Sequence, residues 1–111
     1  MNITDMLLRQ EARELYVTFA DGQKFNFPCE YLRVFSPSAE VKSHAGIIHW
    51  PKHKQMVNIT AIEPVGNYAV KLYFDDGHHS GIYTFEYFYE LMQNYPRNWQ
   101  EYQEALQGSE S

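Results

Sequence analysis

The sequence predicts an α+β fold: antiparallel β-hairpins in two strand–turn–strand–helix units, with the helices packed on one side. Two observations carry this. Apolar and polar residues alternate around two Asp-Gly pairs, Asp21-Gly22 and Asp76-Gly77, and period-two alternation around Asp-Gly marks a half-buried hairpin. Each hairpin then runs into a helix-start residue, Pro28 in the first and Thr84 in the second.

The elements follow in order. Leu15-Tyr16-Val17-Thr18-Phe19 alternates as a strand, and Lys24-Phe25-Asn26-Phe27 returns after the turn. Pro28 stops that strand, because its ring fixes φ and it has no N–H to give. A helix's first turn needs neither, so Glu30 to Phe35 is expected to be a short helix. Ser36-Pro37 has the form of an N-cap and first-turn pair, which makes residues 38–43 one more helical turn, and His44-Ala45-Gly46 opens a loop. Residues 57–62 read as a strand, and Pro64-Val65-Gly66-Asn67 turns it into a strand starting at Tyr68, where Val70, Leu72 and Phe74 share a face. Gly81-Ile82-Tyr83 returns, Thr84 caps, and Glu86-Tyr87-Phe88 begins a helix. Tyr95-Pro96 breaks the chain. Trp99, Tyr102 and Leu106 then recur at helical spacing. Residues 108–111 are expected to be a disordered tail on a single domain spanning 1–111.

The order of signals repeats. Phe19 matches Phe74, Gly22 matches Gly77, and Glu30-Tyr31-Leu32 matches Glu86-Tyr87-Phe88. An internal duplication is one explanation; the ordinary likeness of any two hairpins followed by helices is the other.

Composition bounds the function. The 111 residues amount to one domain, and 16% aromatic content supplies core area without disulfides. Val17, Phe19, Phe27, Leu32, Ile59, Val70, Leu72, Phe74, Tyr83, Phe88 and Leu91 are the expected core. A net charge of -5 argues against a nucleic-acid binder, which needs a basic face. A single Cys excludes an internal disulfide and an all-Cys zinc site. No apolar run is long enough to span a membrane. Met1-Asn2-Ile3-Thr4-Asp5 has no signal-peptide character, so a cytoplasmic protein is expected. Asn2-Ile3-Thr4 and Asn58-Ile59-Thr60 match the glycosylation acceptor, which carries no meaning in that setting.

The glycines form neither a phosphate loop nor a dinucleotide fingerprint, and no His-Glu-x-x-His is present. No His is followed two places later by an acid, as a facial-triad iron site commonly requires. Cys29 matches Phe85 in the repeat register, which favours packing over nucleophilic chemistry. His78-His79 beside Asp75 and Asp76 has the residue types of a divalent-metal site, but neighbouring strand residues point to opposite faces. Arg33, Ser36, Ser38 and Glu40 cluster at one helix end, as either an anion site or an ordinary cap does. Val41 to Ile62 holds Lys42, Lys52 and Lys54 with His44, His49 and His53 and no acid. It is a solvated loop or a contact face for an acidic partner.

Three stretches carry a resemblance: Tyr31 through Val41, Glu63 through Val70, and Phe74-Asp75-Asp76-Gly77-His78 followed by Ser80-Gly81-Ile82-Tyr83. Together they resemble stand-alone bacterial members of the gamma-butyrobetaine hydroxylase-like N-terminal domain family, long a domain of unknown function. The likeness runs from about Leu15 to Leu91. In the carnitine-pathway hydroxylases such a domain precedes a separate dioxygenase domain that holds the iron and 2-oxoglutarate. The resemblance therefore does not imply hydroxylase activity for these residues. It implies a structural zinc in the hydroxylases, on three Cys and one His. Here the Cys positions read Ser36, Ser38 and Val41, and only the His remains, as His78. No zinc and no other cofactor is expected. The domain type is also fused to Mrp-type ATPases with iron–sulfur clusters, which implies an accessory role near iron–sulfur or other metal-related pathways.

The functional expectation is a non-catalytic interaction or accessory module with a protein partner, not an enzyme. Its expected contact region is Arg33, Ser36, Ser38, Glu40, His44 and His78. The alternative is a metal- or small-ligand-binding protein using His78, His79, Asp76 and His44.

Overall fold

A computed structural model describes residues 1–37, 50–79 and 81–109, and among these described residues it has six strands and three helices. The expected helical turn over 38–43, and the candidate residues Ser38, Glu40 and His44, lie outside the described residues. In chain order, β1 (Ile3–Arg9), β2 (Glu14–Phe19) and β3 (Lys24–Pro28) lead into α1 (Cys29–Val34). Then β4 (Ile59–Val65), β5 (Ala69–Phe74) and β6 (Ile82–Thr84) lead into α2 (Phe85–Gln93), and α3 (Tyr95–Ser109) follows. The two sheets are antiparallel, ordered β1-β2-β3 and β4-β5-β6.

Period-two alternation sets which faces are buried. Leu15, Val17 and Phe19 of β2 and Val70, Leu72 and Phe74 of β5 belong to one apolar cluster with Phe27, Leu32, Ile59, Tyr83, Phe88 and Leu91. All eleven expected core residues are buried. Gly22 and Gly77 sit in the hairpin turns at φ 92° and 89°, a region that glycine enters without a Cβ clash. Thr84 caps α2 by accepting the Tyr87 N–H at 3.0 Å.

Several boundaries differ from the sequence reading. β1 is a strand that period-two alternation does not mark. Its Met6-Leu7-Leu8 run hides the alternation, because Leu7 points outward and is 53% exposed. β4 continues through Pro64 and Val65, so the turn begins at Gly66. Proline is tolerated there because β4 is an edge strand and needs no outward N–H. α3 passes through Gly108 to Ser109, inside the segment expected to be a disordered tail.

With β1 included, each unit reads β-β-β-α, and the match extends to single hydrogen bonds. Both first strands are irregular at the same place, between Ile3 and Asp5 and between Ile59 and Ala61. Ala20 N–H donates to Asn2 O at 2.8 Å, and Asp75 N–H to Asn58 O at 2.9 Å. Thr4 Oγ1 donates to Thr18 O at 3.3 Å, and Thr60 Oγ1 to Tyr73 O at 3.2 Å. The helices cross over: Tyr31 of α1 donates its hydroxyl to Leu91 O of α2 at 2.7 Å, and Tyr87 of α2 donates to Phe35 O after α1. These paired bonds are consistent with an internal duplication.

Candidate functional site

The site forms where the turn of the second unit meets the end of α1. Arg33, in the last turn of α1, donates from Nε to Asp76 Oδ2 at 2.7 Å. Lys54 Nζ donates to the same oxygen at 2.6 Å. The His78 N–H donates to Asp76 Oδ1 at 3.0 Å, closing the turn through the side chain. Beside this ionic group, Ser36 Oγ and His78 Nε2 lie 2.9 Å apart in the interior. Tyr83 hydroxyl donates to Leu32 O at 2.6 Å beneath them. Gly81 lies against Ser36: a Cβ at position 81 would stand 2.5 Å from Ser36 Oγ.

Burial sets the electrostatics. Arg33 is 4% exposed and the Asp76 side chain 18%. Burial pushes the Asp76 carboxyl upward, yet the bonds from Lys54, the His78 N–H and Arg33 outweigh it and hold the group well below the usual carboxylate range.

The first unit supplies an internal comparison. There Asp21 accepts the Gln23 N–H at 3.0 Å, as Asp76 accepts that of His78. Tyr89 stands where Arg33 stands, and its hydroxyl donates to Asp21 Oδ2 at 3.0 Å. A turn is thus fastened to the opposite helix by a neutral side chain at an exposed place. The second unit makes the same join with Arg, Lys, His and Ser, mostly buried. A partly buried ionic group is a weak source of net stability, because desolvation offsets much of its attraction.

Lys54 also fixes the segment before β4. Trp50 packs its ring against Phe35 and Tyr102, at centroid distances of 5.4 and 5.8 Å. Arg13 Nε donates to Met56 O at 3.1 Å. Between these anchors Lys52, His53 and Met56 face solvent, Met56 at 66% exposure.

The fold brings together Arg33, Ser36 and His78 of the expected contact region. All three are buried, so they lie beneath the surface and support it. Sequence reasoning did not single out Lys54 as Asp76's second cation, nor Gly81 and Tyr83 as the walls around Ser36. No local pattern links these positions, although the mixed Lys and His content of the segment was visible.

The metal alternative meets a divided pair of imidazoles. His78 turns to Ser36, while the His79 ring stacks on Tyr73 at 5.7 Å. Among the described residues no group of three or more His, Cys, Asp or Glu is placed to hold a metal ion. The zinc that the resemblance associates with this region does not fit the residues present. A serine hydroxyl, not a thiolate, stands at position 36, and it engages His78 Nε2 directly. Cys29 is buried, and burial pushes its thiol up to about 11, so it remains protonated at neutral pH.

Among the described residues no helix is long and apolar enough to cross a membrane. No curated protein matches the chain. Its fold is shared by two proteins known from NMR solution structures. One is 43% identical, with a TM-score of 0.83 over 99% of this chain and 83% of that one. The other is 35% identical, with a TM-score of 0.84 over 99% and 87%. A crystal structure of a DUF971-family protein of unknown function from Acidithiobacillus ferrooxidans is 34% identical. Its TM-score is 0.65, over 81% of this chain and 91% of that one. The gamma-butyrobetaine hydroxylase-like N-terminal model matches residues 6–89, most of both units and their shared core, and the chain belongs to that family.

Proposed function

We propose that the protein is a non-catalytic interaction module whose contact face is the segment 50–56, presented to an acidic protein partner. The observation that carries this is the ionic group of Arg33, Asp76 and Lys54. The corresponding join in the first unit is made to Asp21 without a cation, and in the second the added Lys54 fastens the segment 50–56 to Asp76. Held by Lys54 and Trp50, the segment offers Lys52, His53 and Met56 on a fixed backbone. A preorganised face loses less conformational freedom on binding. A cationic rim around an exposed Met suits an acidic partner with an apolar anchor.

The test is affinity capture with the wild-type chain and with Lys52→Glu plus Met56→Asp. Both substitutions are at exposed positions, and matching amide spectra would show the fold retained. Loss of a partner from the variant, and its weaker binding at high salt, supports the reading. Identical partner sets for both baits would remove it.

A further inference from the structure

The two sheets leave four edges, and three of them are blunted. β3 opens with Lys24, ends at Pro28 and runs straight into α1. β6 is only 3 residues long. β4 carries Pro64, which has no N–H to offer a neighbour. Among the described residues β1 is different: it has 7 residues and no proline, pairs with β2 alone, and is regular from Asp5 to Arg9, past the irregularity between Ile3 and Asp5. Its outward row is Asp5, Leu7 and Arg9, all exposed, with Leu7 at 53%. In the second unit Glu63 holds the position that corresponds to Leu7. An apolar side chain thus sits midway along the least protected edge.

We propose that β1 is a self-complementary edge on which a second copy of this chain docks, strand against antiparallel strand, about a two-fold axis at Leu7. In that register Leu7 meets Leu7 of the partner subunit. Asp5 meets Arg9 of the partner subunit, and the same charge pair recurs on the other side of the axis. Directly opposed side chains are the unit of sheet pairing, and opposite charges there are favourable. Sliding the strands by two residues in one direction sets Leu7 against Asp5 of the partner subunit; in the other it sets Leu7 against Arg9 of the partner subunit. The charge pattern therefore selects one register. Arg9 otherwise bonds Glu11 at 3.3 Å and lies over the Tyr16 ring. The Arg9–Glu11 pair is exposed on both sides and holds Arg9 only weakly. A two-fold pair of this kind is isologous, each copy using the same strand.

Sedimentation of the untagged chain across a concentration series tests this. The wild type should form a dimer. Leu7→Lys and Asp5→Arg should each weaken it by about tenfold or more. Asp5→Arg combined with Arg9→Asp exchanges the two charges and should restore the association. The positions face solvent, so unchanged circular dichroism separates lost pairing from lost folding. Leu7→Cys should cross-link two chains under mild oxidation, because facing positions of paired strands fall within disulfide reach. A wild type that stays monomeric at millimolar concentration would overturn the proposal. So would a dimer indifferent to charge reversal, or one that Leu7→Cys fails to cross-link.

Discussion

Asp76 accepts hydrogen bonds from three donors drawn from three parts of the chain: Arg33, Lys54 and the His78 N–H. Its folded carboxyl lies below the ordinary value of 3.8, since those donors outweigh the desolvation that would raise it. The sign follows from linkage. A lowered carboxyl contributes stability that is fully present above its unfolded value and is lost as pH falls beneath it. Asp76→Asn should cost about 2 kcal/mol near neutral pH, less than a fully buried pair because Asp76 is partly exposed. Urea midpoints for the two proteins should converge as pH drops through 3.8 and below. A gap that stays constant from neutral pH to strongly acidic pH would contradict the assignment.

Within the elements, β5 joins the hairpin of the second unit to the core. Phe74 is 4% exposed and ends the row that Val70 and Leu72 begin. Phe74→Ala should lower stability by about 3–5 kcal/mol, read from thermal or urea unfolding. That row was legible in the sequence because one side of a sheet faces solvent, and alternation then names the inward residues. The hairpin turns and the Thr84 cap were legible for a similar reason: their chemistry is local. β1 was not, since Leu7 is an outward apolar residue and erases the period. The repeated Asn-Ile-Thr at 2–4 and 58–60 was the available signal, because each copy opens the first strand of its unit. Of the site, the meeting of Arg33, Ser36 and His78 followed from helix-end and turn motifs in matching units. Lys54 was out of reach: its bond to Asp76 spans a long separation, and nothing local marks a cation as paired.

At the scale of the molecule, the tyrosine crossings tie each unit to the other. Tyr31 reaches from α1 to Leu91 O, and Tyr87 reaches back to Phe35 O. Burial pushes both hydroxyls up to about 12, so they remain donors at any ordinary pH. Tyr87→Phe leaves Phe35 O without that donor and should cost about 1–2 kcal/mol. Because the contact joins both units, hydrogen exchange should accelerate in β2 as much as in β5. Acceleration confined to the second unit would mean that the halves unfold separately.

Pro64, which blunts the edge of β4, has a consequence for growth. A chain with two equally receptive sheet margins is a bifunctional monomer, able to add copies without end into a fibril. The ring in β4, together with the short β6 and the Lys24 and Pro28 of β3, leaves a single receptive margin among the described residues. A two-fold pairing through β1 occupies the receptive margin of both copies at once, so this mode of addition stops at two.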